Sequence, residues 1–292
     1  MTTISDLSQA VSQVAGSTGA QVVGITGRRA AGSGVIVAPN RVLTNAHNIF
    51  GEEITVTFPD GRTAAAKALG VDADGDVAVL EVATNGSASV EWASDAPGIG
   101  TPVFAVANPG GRGLRVTFGL VSGTERSFRG PRGRKIGESI EHTAPLLPGS
   151  SGGPIVDESG KLLGINTLRL GEGFYIAIPA DDALKQRIDA LSKGETPTRV
   201  RLGVAIVPSH IARRLRRAVG LPEADGLLVR GVEDDSPAAK AGLKQGDLIT
   251  NAGGRALESA DDLFAAIEAS SGSIELKILR GTEEQTVKVS FA

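Results

Sequence analysis

Two serines set between glycines and closed by a proline, Pro148-Gly149-Ser150-Ser151-Gly152-Gly153-Pro154, are the residues whose types first suggest chemistry. Glycine serves where backbone must turn sharply or approach a ligand closely. A small hydroxyl in such a turn stands at its tip, and neighbouring N–H groups without strand partners point at one spot. Those are the parts of a serine nucleophile and its oxyanion hole. The same seven residues also make an ordinary Gly/Ser surface loop, so the reading depends on partners elsewhere in the chain.

A serine hydroxyl is a poor nucleophile until a base takes its proton, and an imidazole base needs a third group to fix its tautomer. The chain has three histidines. His47 ends Leu43-Thr44-Asn45-Ala46-His47, just after an apolar run; His142 lies in Ile140-Glu141-His142-Thr143-Ala144; His210 opens a helical stretch further on. For the orienting acid, Asp76 directly precedes Val77-Ala78-Val79-Leu80, which puts a carboxylate at the mouth of a buried strand. Asp72 and Asp74 read as turn residues, and spacing by itself excludes neither.

Composition narrows the chemistry further. With no cysteine among 292 residues, disulfides, thiolate metal sites and cysteine nucleophiles are all excluded. Scattered histidines argue against a multi-His metal site, and separately neither a metal nor an organic cofactor is implied. A net charge of −3 gives no pull toward nucleic acid or an anionic membrane. The 41% apolar and 22% charged fractions are those of a soluble globular chain. Met1–Leu7 lacks the basic start and apolar core of a secretory leader, and no apolar run approaches the roughly 20 residues that cross a bilayer. A cytoplasmic location is therefore expected.

The elements that would position these residues follow from periodicity. Ile4, Leu7, Val11 and Val14 mark a short amphipathic helix. Short Val/Ile-rich runs broken by turns then follow from about residue 20: 21–26, 34–38, 42–44, 54–58, 77–82, 103–107, 116–121, 154–156, 162–166 and 175–178. Short strands in that number predict an all-β barrel architecture, closed by a helix carrying Leu184, Ile188 and Leu191. A polar linker around Ser192–Thr198 separates a smaller α+β part, in which strand runs alternate with helices at 209–219 and from Ser259.

The order His47, Asp76, Ser151 resembles the chymotrypsin-like serine peptidases, and the HtrA (Deg) family in particular. The motifs that carry the resemblance are Gly32-Ser33-Gly34-Val35-Ile36-Val37, Val42-Leu43-Thr44-Asn45-Ala46-His47, Asp76-Val77-Ala78-Val79-Leu80, Gly149-Ser150-Ser151-Gly152-Gly153-Pro154 and Leu163-Gly164-Ile165-Asn166-Thr167. In the tail, Ser236-Pro237-Ala238-Ala239-Lys240-Ala241-Gly242-Leu243 with Gly246-Asp247-Leu248-Ile249 resembles that family's PDZ domain. The resemblance implies a mainly β fold, a chymotrypsin-like double β-barrel over 1–191, a linker over 192–199 and a PDZ domain over 200–292. It implies Ser151 as nucleophile, His47 as general base and acid, and Asp76 as the orienting carboxylate. The oxyanion hole would come from Gly149 and Ser151 N–H groups, with Ser150 shaping the turn between them.

Three departures stand out. Ser150 replaces the family's usual Asn or Asp. Asn48 replaces an aliphatic residue and is expected to loosen packing behind His47. The run Thr143–Pro148 has two prolines and no acid, which favours a rigidly preset hole. The resemblance places the first specificity pocket at Leu146, Ile165, Asn166 and Thr167. No Asp lines it, so cleavage after small or medium aliphatic residues is expected. The PDZ groove would be the loop Arg201-Leu202-Gly203-Val204 with Leu263 and Ile267, which alternatively are core residues, and it would hold C-terminal peptides. Unfolded or tagged proteins are the implied substrates, protein quality control the implied setting and a homotrimer an implied assembly. The basic stretch from Arg112 to Lys135 reads as a mobile loop, and Arg213, Arg214, Arg216 and Arg217 form a basic helix face. The rival functions are a catalytically inactive PDZ adaptor and a chaperone.

Overall fold

A computed structural model describes residues 4–27, 31–51, 53–129, 135–169, 171, 173–195 and 201–291. It divides into two compact units, Met1–Pro197 and Thr198–Ala292.

The first unit opens with helix α1 (Ile4–Ser17), and its core is two closed six-stranded barrels. The first barrel contains β1 (Val22–Gly27), β2 (Ala31–Ala38), β3 (Arg41–Thr44), β4 (Ile54–Thr57), β5 (Thr63–Asp72) and β6 (Val77–Glu81), closed in the order β1-β2-β3-β6-β5-β4. The second contains β7 (Pro102–Ala107), β8 (Arg115–Arg129), β9 (Lys135–His142), β10 (Pro154–Val156), β11 (Leu162–Arg169) and β12 (Tyr175–Pro179), in the order β10-β11-β12-β9-β8-β7. Closure gives every one of these strands a neighbour on both sides. Helix α1 buries Val14 and packs Leu7, Ala10 and Val11 against Phe104, Val106 and Val156.

Two strands escape the periodicity reading. β5 is Thr-Ala-Ala-Ala-Lys-Ala-Leu, whose small side chains carry little strand preference, yet they alternate exposed and half-buried as its neighbours β4 and β6 pair with it. β8 and β9 correct the expectation of a mobile basic loop: backbone pairing from Val121↔His142 to Arg129↔Lys135 makes them a long hairpin. Arg132 and Arg134 lie outside the described residues.

One apolar cluster joins the barrels. Val35, Leu43, Val77 and Val79 from the first meet Leu162, Ile165, Ile176 and Ile178 from the second. Helix α2 (Asp182–Ser192) adds Leu184, Ile188 and Leu191 to that cluster, and burial of each side chain contributes about 1.5–3 kcal/mol. Its start is fixed by Asp181, whose carboxylate accepts the Leu184 N–H at 2.7 Å.

The second unit contains β13 (Val204–Val207), α3 (Ser209–Ala218), β14 (Leu227–Val232), α4 (Pro237–Lys240), β15 (Leu248–Ala252), β16 (Arg255–Ala256), α5 (Ala260–Glu268), β17 (Ser273–Arg280) and β18 (Glu283–Ser290). Its main sheet runs β13-β14-β15-β17-β18, which leaves β13 at an edge. The capping box expected at Ser259 is present, with the Asp262 carboxylate accepting the Ser259 N–H at 2.7 Å. Two arginines of the basic helix face are paired with carboxylates of the same unit, and a third is buried. Arg213 reaches Asp225 at 2.7 Å, Arg217 reaches Glu223 at 2.7 Å, and buried Arg216 donates to the carbonyls of Pro222 and Gly281.

Candidate active site

His47, Asp76 and Ser151 each lie at a strand end beside the apolar cluster that joins the barrels. β3 ends at Thr44, and a short helical turn over Ala46–Asn48 carries His47 out of the sheet. Asp76 immediately precedes β6 with φ +54°, a left-handed conformation that Asp tolerates better than most residues. Its carboxylate is almost fully buried and takes the His47 N–H at 3.1 Å. The same carboxylate receives His47 Nδ1 at 3.0 and 2.9 Å and the Thr167 hydroxyl at 2.5 Å. A buried anion requires this number of donors. With Nδ1 bound to a carboxylate, the proton sits on Nδ1 and the Nε2 lone pair is free.

Neither alternative acid reaches the ring. Asp72 accepts the Gly75 N–H at 2.9 Å and pairs with Arg187 at 3.5 Å, and Asp74 lies in the intervening turn. The other histidines are also elsewhere. His210 starts α3 in the second unit and is exposed. His142 is buried against Tyr175 with its Nε2 2.9 Å from Asn166 Oδ1, and burial lowers its pKa to about 4.

Ser151 lies in the second of two consecutive tight turns that meet at Ser150. The Ser150 N–H donates to the Leu147 carbonyl at 3.1 Å, and the Gly153 N–H donates to the Ser150 carbonyl at 3.0 Å. Gly149 and Gly152 flank it at φ +89° and +86°, where a side chain would strain the backbone. Among the described residues, the N–H groups of Gly149 and Ser151 donate to no protein acceptor, whereas that of Ser150 is already engaged. Two unengaged amides, one of them the serine's own, are the donors that a negative oxygen beside Ser151 would need. The Ser151 hydroxyl itself donates to the Thr167 carbonyl at 3.1 Å rather than to His47.

The four residues expected to form a pocket wall divide differently. Leu146 is half-buried against the second barrel's core. Ile165 instead packs in the cluster between the barrels. Asn166 turns inward, donating to the carbonyls of Gly153 and Pro154 at 3.1 and 3.3 Å. The Thr167 side chain serves Asp76. Strand alternation explains the difference, because neighbours on β11 face opposite sides and a contiguous triplet cannot line one wall. Leu147 and Leu168, apolar and exposed, flank the serine turn and Thr167 in sequence.

Asn48 corrects a second expectation. Rather than loosening the packing behind His47, it is 4% exposed and donates to Thr44 Oγ1 at 3.0 Å and to the Ser151 carbonyl at 2.9 Å. Ser33 and Thr44, present in the sequence only as members of motifs, bond into the same network. The signal for Ser33 was its place between Gly32 and Gly34 at the start of a strand.

In the second unit, the Gly203 carbonyl accepts the Glu233 N–H at 2.9 Å and the Leu202 carbonyl accepts the Ala238 N–H at 2.9 Å. Among the described residues, the N–H groups of Leu202 and Gly203 donate to no acceptor. Gly203 has φ +78°, and a Cβ there would stand 2.2 Å from Ser236 Cβ. Arg201 pairs with Glu233 at 3.8 Å, and Val204 begins the edge strand. Leu202, Leu263 and Ile267 lie in the unit's buried core, so core packing accounts for them.

A trypsin-like peptidase domain matches residues 32–165 and a PDZ domain residues 200–291. A probable periplasmic serine endoprotease DegP-like of Halomonas elongata is 34% identical over 273 residues, covering 90% of this chain and 56% of its own length. The serine protease Do-like HtrA of Bacillus subtilis is 32% identical, covering 89% and 63%. The chain thus spans a little over half the length of such relatives. Among solved structures, the HtrA-type protease AlgW with decapeptide superposes with a TM-score of 0.68 at 25% identity, covering 96% of this chain and 97% of that one. A serine endoprotease from Yersinia pestis gives 0.66 at 29% identity, with 96% of each covered. These relatives correct the cytoplasmic expectation, since several at similar identity are named periplasmic proteins. A start without a leader pattern carries no information on compartment, because leaders are removed from mature proteins.

Proposed function

The chain belongs to the HtrA/DegP family of serine proteases, a trypsin-like peptidase domain followed by one PDZ domain, and on that premise we propose that it is a serine endopeptidase acting on unfolded or C-terminally tagged polypeptides. The observation that carries the reading is the His47 imidazole held by both oxygens of Asp76, beside a serine turn with two unengaged amides.

The geometry supports one sequence of steps. Ser151 Oγ rotates from the Thr167 carbonyl and attacks the scissile carbonyl as His47 Nε2 takes its proton. Asp76 remains ionised, keeps the proton on Nδ1 and stabilises the imidazolium. The N–H groups of Gly149 and Ser151 receive the oxyanion, each contributing about 10²–10³ in rate by comparison with similar donors. His47 then protonates the leaving amine, the acyl-enzyme forms, and water repeats the sequence to release the acid. Every step uses side chains and backbone that this chain itself supplies.

Exposed Leu147 and Leu168, with Leu146, offer an apolar wall for a small or medium aliphatic side chain before the cut. In the second unit, edge strand β13 has the arrangement for adding a peptide as a further strand, with the amides of Leu202 and Gly203 facing its terminal carboxylate. Assembly as a homotrimer belongs to this reading through the family resemblance alone, and sedimentation of the full chain tests it.

The deciding experiment is digestion of an unfolded protein with cut-site mapping, alongside a fluorophosphonate label. We expect cuts after Val, Ala or Leu and labelling at Ser151, both absent from Ser151→Ala. Equal cutting by Ser151→Ala would remove the assignment, and a preference for Lys or Arg would remove the pocket.

A further inference from the structure

Asn48 belongs to the first barrel, yet its side chain ends on the carbonyl of Ser151 in the second. Its amide nitrogen has two hydrogens, and both are used: one on the Ser151 carbonyl at 2.9 Å, the other on Thr44 Oγ1 at 3.0 Å. The Thr44 hydroxyl donates its own proton to the Ser33 carbonyl at 2.7 Å, so it can only accept from Asn48. That requirement decides which end of the amide faces the loop. The Ser33 N–H closes the ring on the same Ser151 carbonyl at 2.9 Å. Outside the ring, the Ser33 hydroxyl receives the Asn108 N–H at 3.0 Å and donates to the Gly149 carbonyl at 2.9 Å.

Two glycines make room for this ring. A Cβ on Gly32 would stand 2.4 Å from the Asn48 amide carbon, and one on Gly152 would stand 2.1 Å from the Ser33 carbonyl oxygen. Both carbonyls flanking the serine turn are therefore tied to the first barrel. The Ser151 carbonyl has both lone pairs filled, and the peptide linking Ser150 to Ser151 lies between two anchored peptides. That peptide carries one of the two unengaged amides, and turning it away would break bonds to buried groups.

We propose that Asn48 is a positioning residue for the hydrolysis described above: through Thr44 and Ser33 it holds the Ser151 N–H toward the oxyanion, so that the hole is set in the resting protein. The inference rests on the peptidase reading but concerns a residue that does not touch substrate.

The test uses Asn48→Leu, Thr44→Val and Thr44→Ser in the full chain. Three quantities are read: kcat and KM on a short aliphatic peptide substrate, affinity for a peptide aldehyde, and thermal unfolding. The aldehyde's adduct places a negative oxygen in the hole, so its affinity reports the hole directly. In Asn48→Leu and Thr44→Val, kcat is expected to fall about tenfold with KM within about twofold, and aldehyde affinity to weaken by the same factor. Thr44→Ser, which keeps the hydroxyl, should recover what Thr44→Val loses. Should Asn48→Leu fail to fold, the two Thr44 variants decide. Folded variants with parental kcat and aldehyde affinity, or with a loss confined to KM, would overturn the inference alone. A parent chain that neither hydrolyses peptide nor takes the aldehyde would overturn the peptidase reading and this inference together.

Discussion

His142 illustrates how a residue type with two meanings is decided by its surroundings. It is fully buried, its Nε2–H donates to Asn166 Oδ1 at 2.9 Å, and its Nδ1 is a buried acceptor with no partner among the described residues. A second proton would create a buried cation, so desolvation lowers its pKa from 6.5 to about 4. The unfolded chain therefore binds more protons between those values. Stability is lost as pH falls from about 6.5 toward 4, by on the order of 3 kcal/mol in all. Urea unfolding across that range should give a shallower pH dependence for His142→Gln than for the parent, because carboxylates titrate alike in both. Parallel curves would remove His142 as the source. At this scale residue type and spacing alone left three histidines and three candidate carboxylates open, and only the family motifs pointed to His47 and Asp76. The hydrogen bonds between His47 and Asp76 then supply the physical reason for that pair.

Among the elements, α2 has the clearest leverage on the site. Its Arg187 pairs at 3.5 Å with Asp72, which also holds the Gly75 N–H at 2.9 Å, one residue before Asp76. Asp72 is 2% exposed and Arg187 26%, so this pair is shielded better than a surface ion pair. Arg187→Ala should lower the unfolding free energy by about 1–3 kcal/mol, read by urea titration. A change near zero would mean that the apolar side chains of α2 dock it unaided. Most strands of both barrels were legible as Val/Ile runs, and α2 as an apolar triplet at helical spacing. β5 was not, because its alanines acquire strand geometry from β4 and β6 rather than from their own preference.

For the whole molecule, two units with separate cores imply separable defects. Gly203 is the informative position, since its left-handed φ and the nearness of Ser236 leave no space for a side chain. Gly203→Ala should weaken binding of a peptide with a free C-terminus by at least about tenfold, while hydrolysis of a short unstructured substrate persists. Fluorescence anisotropy with free-acid and amidated peptides measures the first quantity, and amidation of the peptide should mimic the substitution. Equal affinity for the two peptides would exclude carboxylate recognition at this loop.

The sequence by itself determined the chemical alphabet and its order: a glycine-framed serine, a histidine after an apolar run, an aspartate before another, and a polar break between two differently textured halves. Those features follow from residue type and local backbone preference, which travel with the chain. Tertiary structure alone decided which side chains meet, within the first barrel and across to the second. His47 and Asp76 are 29 residues apart, Thr167 and Asp76 are 91 apart, and Asn48 and Ser151 are 103 apart. Bonds over such separations depend on how closed sheets face one another, and no local preference encodes that direction.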